Sequence, residues 1–397
     1  MGQPKRGKKK ICIITPEFPP DNWGGLARTA ERVARHALDM GLSVHVAHFA
    51  IENGPLVLLD ENRETRTVDG LIVHRLTVGR EETGEGERGL WDCPHNLTLL
   101  TMYQSLEKLF QEEQFDLFHS FFLYPMGFVT GLLARRMRRP LIVTLVGNDV
   151  KKYVFSPEKV AVCRSGLDNA DMVVALSWDL METAHALTPV SHKARIIYNS
   201  VEIPTQAWQA ESDSKRPFRI GCGGIFKYAK GLPYLFKALA ALSKDRNVAL
   251  ELSGTVRESE KGTYDAMVRK TGIARLLTLK EPVPHEAMPE WLRSLDVFVL
   301  PSVSEGCPNI LMEAMACGLP CVATRTGAVE ELIEDRVSGL LVPWGDSRAL
   351  ATALAEIIDK PDLAWPLGYA ARLKMTEFSG QRERRAWEQV YREVLGF

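Results

Sequence analysis

"PSVSEGCPNILMEAMACGLP", Pro301 to Pro320, sets two glutamates, Glu305 and Glu313, around a Gly, a Pro and a run of helix formers. The preceding "DVFVL", Asp296 to Leu300, is short, apolar and β-branched, as a buried strand should be, and Pro301 closes it. Pro308 suits the first turn of a helix, where its missing amide proton costs nothing, and Gly318 suits the residue just past the end. The spacing therefore predicts a helix over Pro308 to Cys317. Its first-turn amides and the positive end of its dipole would lie beyond the carboxyl edge of a strand, a natural anion site in an open α/β sheet. A carboxylate beside such a site is poorly placed to bind phosphate. It is well placed to accept hydrogen bonds from hydroxyl groups on the same ligand, which points to a molecule carrying both sugar hydroxyls and phosphates. The plain alternative makes Glu305 a helix cap and Glu313 a surface residue.

The same strand and helix grammar runs outward in both directions. "ICIIT" is followed by a helical pattern from Leu26 to Met40, then by Gly41 and the strand "SVHVAHF", which makes a βαβ unit. "LIVHRL", "FDLFHS", "PLIVTLV" and "DMVVAL" read as further strands, with a clear helix from Met126 to Arg138. The pattern restarts at "FRIGCGG" and continues through "VALELSG", "LLTL", "PCVAT" and "GLLVP". Between the halves, Val201 to Pro217 is polar and weakly periodic, the best linker in the chain. The expectation is an α/β protein of two doubly wound Rossmann-like domains facing across a cleft, with ligands at the carboxyl ends of the strands.

Composition narrows the function further. The 397 residues carry a formal net charge of −1, which gives no reason to expect nucleic acid. "KRGKKK", Lys5 to Lys10, and "RRMRR", Arg135 to Arg139, are local basic clusters, read first as a solvated tail and a solvated helix end and second as points of attraction to an anionic membrane surface. No apolar run approaches a membrane span, and the charged start leads straight into a strand, so the expected location is cytoplasmic, with peripheral contact at the inner face of the plasma membrane. The seven cysteines show neither a metal spacing nor a disulfide framework. In "GCGGIFKYAKGL", Gly221 to Leu232, a glycine turn after a strand allows close backbone approach, and Lys227 and Lys230 stand three apart, able to reach one anionic group. In "PEFPPDNWGGLARTAERV", Gly24 and Gly25 open the first helix and can bring amides against a phosphate. "TLVGNDV" puts Asp149 just beyond another strand, where it acts as an acid or base, or caps a helix.

Together these pieces resemble the group 1 glycosyltransferases, the retaining family-4 class with the GT-B fold. The resemblance rests on Glu305 and Glu313 with their flanks, on "KYAKGL", "PPDNWGG", "VGNDV", "NSVEIP" (Asn199 to Pro204) and "GAVEELIEDRVSGLLVPWGD" (Gly327 to Asp346), and it is strongest from Gly221 to Asp346. It implies an acceptor domain over 1–200 with the C-terminal helix, 376–397, packed back on it, a linker over 201–217, and a donor domain over 218–375. It implies transfer of a sugar from a nucleoside diphosphate sugar, UDP- or GDP-linked, to a glycan, a lipid-linked sugar or a small molecule, with retention and with neither metal nor cofactor. The chain has no Asp-x-Asp motif, in keeping with that. Glu313 would hold the ribose, Glu305 the transferred sugar, and Lys227 with Lys230 the diphosphate. Catalysis is thereby assigned to Glu305, Asp149 and Lys230. Donor contacts fall to Gly24, Gly25, Gly224, Lys227, Lys230, Gly306, Cys307, Pro308, Asn309, Ile310, Leu311 and Glu313, and acceptor contacts to Asn22, Arg28, His119 and Asn148. The chain departs from the family pattern at Ile225, where many members have Arg, at Val146, where a histidine is usual, and at Phe121, which replaces the second of two histidines. A nucleotide-sugar epimerase or hydrolase of the same fold, or a non-catalytic nucleotide-sugar binder, are the rival readings.

Overall fold

The computed structural model describes residues 8–21, 24–53, 59, 61–80, 96–209 and 215–397. The chain divides into two units, Met1–Tyr198 with Glu383–Phe397, and Asn199–Arg382.

In the first unit the strands are β1 (Lys10–Thr15), β2 (Ser43–Asn53), β3 (Arg63–Val68), β4 (Leu71–Arg80), β5 (Leu117–Phe121), β6 (Leu141–Leu145), β7 (Met172–Ala175) and β8 (Ala194–Ile196). They form one sheet in the order β3-β4-β2-β1-β5-β6-β7-β8. Every pairing is parallel except β3 with β4. The central strands β5, β6 and β7 are buried at every position, the mark of a sheet covered on both faces, so their sequences run apolar without alternation. The helix Gly25–Asp39 buries Ala27, Ala30, Val33, Ala34 and Ala37 against the sheet. The helix Gly380–Leu395 adds Trp387, Val390 and Tyr391 to the same core. Two strands have no counterpart in the sequence reading. β3, "RETRTV", is a polar edge strand with no buried position, and β8 has three residues, so neither carries an apolar signal.

The second unit is a six-stranded sheet of β9 (Phe218–Phe226), β10 (Val248–Val256), β11 (Leu277–Lys280), β12 (Val297–Leu300), β13 (Cys321–Thr324) and β14 (Leu340–Val342) in the order β11-β10-β9-β12-β13-β14, all parallel. The direction of winding reverses between β9 and β12, and a crevice opens beyond the carboxyl ends of two strands at such a point. Small residues let other groups come close there. A Cβ on Gly221 would lie 2.0 Å from Leu295 Cδ1, and one on Gly223 2.3 Å from Ile310 Cδ1. The stretch read as a linker is partly docked on this unit. Trp208 is buried, its Nε1 donates to the Leu295 carbonyl at 2.7 Å, and its amide donates to the Cys317 carbonyl at 2.7 Å. Its lone indole gave no periodicity from which that packing could be read; residues 210–214 lie outside the described residues.

Candidate active site

Two loops meet at the switch point of the second sheet, one leaving β9 and one leaving β12. The first turns through Tyr228–Lys230 and Gly231 into the helix Leu232–Leu242. Gly231 has φ +67°, and a Cβ there would fall 1.9 Å from the Pro301 carbonyl oxygen, so only glycine admits the close approach of the two loops. The amide of Val303 donates to the Ala229 carbonyl at 2.8 Å and fixes that approach. Lys230 Nζ then reaches Glu305 Oε1 at 2.7 Å, and Ser302 Oγ donates to the same oxygen at 2.6 Å. The pair is largely withdrawn from water, with side-chain exposures of 18% and 10%. A cation and a carboxylate are thus held together beside one face of the crevice.

The far side of the loop is pinned as firmly. Thr324 Oγ1, at the end of β13, donates to the carbonyls of Ser302 and, at 3.2 Å, Leu300. Gly327 has φ +56°, and a Cβ on it would lie 2.4 Å from the Glu305 carbonyl oxygen, while the next amide, Ala328, donates to Gly306 O at 2.8 Å. Asn199 Nδ2 donates to Asn309 Oδ1 at 2.8 Å and lies 3.4 Å from Cys307 O. The helix that follows is Asn309–Ala316, one residue shorter at each end than the spacing predicts. Pro308, with ψ 100°, is the capping residue rather than part of the first turn. Gly318, at φ +79°, closes the other end, its amide donating to Met315 O at 2.9 Å. Glu313 stands on this helix with its Oε1 3.7 Å from His285 Nδ1.

Gly224 lies in β9 two residues before its end; Lys227, Lys230, Glu305 and Gly306 through Ile310 belong to these two loops and the helix start, and Glu313 lies one turn further on. Leu311 differs from expectation. Its side chain is fully buried and its amide already donates to Pro308 O at 3.1 Å, so it shapes the helix rather than presenting a group to a ligand. Cys307 is likewise buried, with Sγ 3.7 Å from Met312 Sδ, and contributes through the loop's shape. Sequence reasoning missed Ser302, Thr324, Gly327, His285 and the orienting use of Asn199. Gly327 carried a signal as an isolated glycine between a strand and a helix; the others are common polar residues whose partners are set by tertiary packing.

In the first unit the expected contacts part company. Gly24 caps the helix Gly25–Asp39 with φ −65°, and a Cβ on it would come 3.1 Å from Glu17 Oε2; Gly25 is exposed at the helix start and Arg28 is half-buried on the first turn. Asn22 lies outside the described residues, and Asn148 opens the short helix Asn148–Lys151. Asp149 is not available as an acid, a base or an acceptor contact. Its carboxylate is fully buried and accepts from the amides of Leu123 at 2.9 Å, Gly147 at 2.7 Å and Val146 at 3.2 Å. Burial raises its pKa and these amides oppose the rise. It ties the loop after β5 to the loop after β6. His119 is no sugar contact either, because both ring nitrogens are engaged: Nδ1 lies 2.7 Å from Tyr391 Oη and Nε2 2.8 Å from Thr144 Oγ1. The ring is fully buried, stacked 4.6 Å from Phe121, and burial depresses its pKa to about 3. It anchors the C-terminal helix to β5 and β6. A polar residue at a strand end reads alike in sequence whether it faces ligand or interior.

Two family profiles account for most of the chain. One, described as "Glycosyl transferase 4-like domain", matches residues 24–200, and the other, described as "Glycosyl transferases group 1", matches residues 217–360. The chain belongs to the GT-B-fold glycosyltransferases. This glycosyltransferase is 25% identical over 363 residues to the N-acetyl-alpha-D-glucosaminyl L-malate synthase of Bacillus anthracis, with 88% of this chain and 90% of that one covered. It is 27% identical over 400 residues to the D-inositol 3-phosphate glycosyltransferase of Saccharomonospora viridis, covering 93% and 88%. Its fold is shared with sucrose-phosphate synthase from Thermosynechococcus elongatus, at TM-score 0.78, 20% identity and coverage of 98% and 100%. It is shared too with Anabaena HepE in complex with UDP-glucose, at TM-score 0.75, 20% identity and coverage of 97% and 99%. Among the described residues of this glycosyltransferase, no three His, Cys, Asp or Glu side chains come together in a group that could hold a metal ion.

Proposed function

We propose that this glycosyltransferase moves a sugar from a nucleoside diphosphate sugar to an acceptor hydroxyl with retention at the anomeric carbon and without a metal. The observation that carries the reading is the Lys230–Glu305 pair at 2.7 Å beside the start of the helix Asn309–Ala316, at the switch point of the second sheet. As the donor bond breaks, negative charge gathers on the departing diphosphate and positive charge on the sugar. Lys230, Lys227 and the first-turn amides of Asn309 and Ile310 stabilise the former, and Glu305 stabilises and positions the latter. Glu313, which points hydrogen-bond acceptors and no positive charge, holds the ribose hydroxyls. Retention follows from attack on the face from which the diphosphate departs, with no covalent sugar on Glu305.

The titles of structures of similar fold name UDP and UDP-glucose, which supports a uridine donor. Relatives named for L-malate and for D-inositol 3-phosphate support a small hydroxyl-bearing acceptor. Incubation with UDP- and GDP-sugars, with and without an acceptor panel, tests the reading by proton NMR. The expected result is acceptor-dependent consumption of donor and a product with the donor's anomeric configuration. Inversion, or conversion of donor to an isomer with no acceptor present, overturns it.

A further inference from the structure

His45 on β2 and His74 on β4 lie near the amino ends of their strands, away from the ligand edge of the sheet, and each is 2% exposed. They form the middle of a chain of polar contacts that crosses the sheet. His45 Nδ1 lies 2.9 Å from His74 Nε2, with the ring planes 15° apart. His74 Nδ1 lies 2.9 Å from Oγ1 of Thr65, its register partner on the edge strand β3. At the other end His45 Nε2 is 3.7 Å from Glu113 Oε2, on the helix Asn96–Glu113. Among the described residues, four other titratable groups bear on this chain. Lys10 of β1 bonds Glu113 at 2.8 Å and holds its carboxyl below the usual range, so Glu113 is ionised. Cys12, the register partner of His45 on β1, is a thiol kept neutral by burial. Arg63 of β3 opposes a charge on His74 and is itself paired with Glu112 at 2.6 Å.

The carboxylate sets the direction of the chain. A neutral imidazole has one N–H and one bare nitrogen, and His45 Nε2 must turn its N–H, not a lone pair, to Glu113. His45 Nδ1 is then bare and accepts from His74 Nε2–H, and His74 Nδ1 accepts from the Thr65 hydroxyl. Such a chain can take up one proton without losing a bond. A proton arriving at His74 Nδ1 from the side of Thr65, which is exposed, displaces the Nε2 proton along the bond to His45 Nδ1. His45 becomes the imidazolium and donates to His74 Nε2, His74 Nδ1–H donates to Thr65 Oγ1, and the charge rests beside Glu113 rather than beside Arg63. A second proton could go only to His74 Nε2, where it would face His45 Nδ1–H across 2.9 Å, and the side-chain bridge between β2 and β4 would break. Burial lowers the pKa of both rings, that of His74 to about 4, so the uncharged pair is the form at neutral pH. Its stabilising contribution, full above pH 6.5, is lost as pH falls toward 4.

We propose that His45 and His74 form a two-step acid switch: a first proton reverses the hydrogen-bond chain and leaves the β3–β4 edge in place, and a second breaks the bridge and loosens that edge. The switch lies in the first unit and does not rest on the transferase reading.

Nitrogen-15 NMR of the full chain labelled at its histidine rings, followed from pH 8 downward, tests it. His45→Asn and His74→Gln assign the two rings; if either fails to fold, the ring displaced in Glu113→Gln identifies His45. At pH 8 both rings should carry hydrogen on Nε2. As His45 gains its second proton, His74 should change to the neutral Nδ1–H form at the same pH. Glu113→Gln should move that event to lower pH by roughly one unit. Hydrogen exchange read by mass spectrometry should show β3 and β4 protected, relative to β6, while only His45 is charged, and about tenfold or more less protected once His74 is charged too. The proposal is overturned if His74 carries Nδ1–H already at pH 8, if the rings titrate independently, if Glu113→Gln leaves the event in place, or if the β3–β4 edge loses protection together with β6.

Discussion

Neutralising Glu305 probes the contact on which the donor site is built. In Glu305→Gln the shape is kept, but Lys230 exchanges a charged acceptor 2.7 Å away for a neutral one in a place where both side chains are mostly shielded from water. The difference between a charge-assisted and a neutral hydrogen bond suggests a loss of roughly 1 kcal/mol. Lys230→Met removes the ammonium and leaves Glu305 Oε1 with Ser302 Oγ as its remaining donor, which suggests roughly 1.5 to 3 kcal/mol. In the double variant neither partner is left as an uncompensated charge. Its total cost should therefore fall short of the sum of the two by about 1 kcal/mol. Calorimetric unfolding of the four proteins, with the second unit's transition fitted separately, measures that shortfall. If the two costs add to within about 0.5 kcal/mol, the pair is not a coupled unit and the reasoning about the loop junction fails.

Other expectations are distributed over both units. Gly327→Ala forces a Cβ against the Glu305 carbonyl at 2.4 Å in a left-handed backbone, so nucleoside diphosphate binding should weaken at least tenfold while the first unit's unfolding is unchanged; titration calorimetry and thermal melts check it. Asp149→Ala leaves the buried amides of Leu123 and Gly147 and the part-buried amide of Val146 without their acceptor and should destabilise the first unit by about 2 to 4 kcal/mol, with nucleotide binding intact, as denaturant melts and calorimetry would show. His119 has an ordinary value of 6.5 that burial lowers to about 3, so the unfolded chain binds more protons in that window and its stabilising contribution, full above pH 6.5, is lost as pH falls toward 3. His48 and His74, each lowered to about 4 by burial, act in the same direction, and Asp149, whose pKa is raised, opposes them. His119→Gln should therefore lose about 2 kcal/mol less than the natural chain between pH 7 and pH 5, and an equal loss in urea melts would show that His119 is not held neutral by burial.

The parts of this fold that could be read in advance are those whose signal is local. β5, β6 and β7 are runs of apolar residues because both faces are covered, and Gly318 marks a helix end because the left-handed turn there favours it. Glu305 and Lys230 sit on loops directly after strands and Gly224 sits near the end of one, so the α/β pattern puts all three at the carboxyl edge of the sheet. β3 and β8 escaped because an edge strand need not be apolar. Asp149 and His119 were misassigned for a related reason. Each follows or ends a strand, as a ligand contact would, but what distinguishes them is a partner distant in sequence, Leu123 for one and Tyr391, 272 residues away, for the other. Nor does spacing reveal that Gly231 and Gly327 hold the Glu305 loop from two sides.

The central claim is that Glu313 and Glu305 serve different parts of one donor, the ribose and the transferred sugar. The ribose is the same in ground and transition states, so Glu313→Ala should weaken nucleoside diphosphate binding by roughly 1.5 to 3 kcal/mol. Charge develops at the sugar only as the bond breaks, so Glu305→Gln should depress kcat far more than it weakens nucleotide affinity. Nucleoside diphosphate titration of both variants beside their steady-state rates is the most direct measurement. The account predicts an affinity defect in the first variant and a turnover defect in the second; full turnover by Glu305→Gln, or normal nucleotide binding by a folded Glu313→Ala, would contradict it.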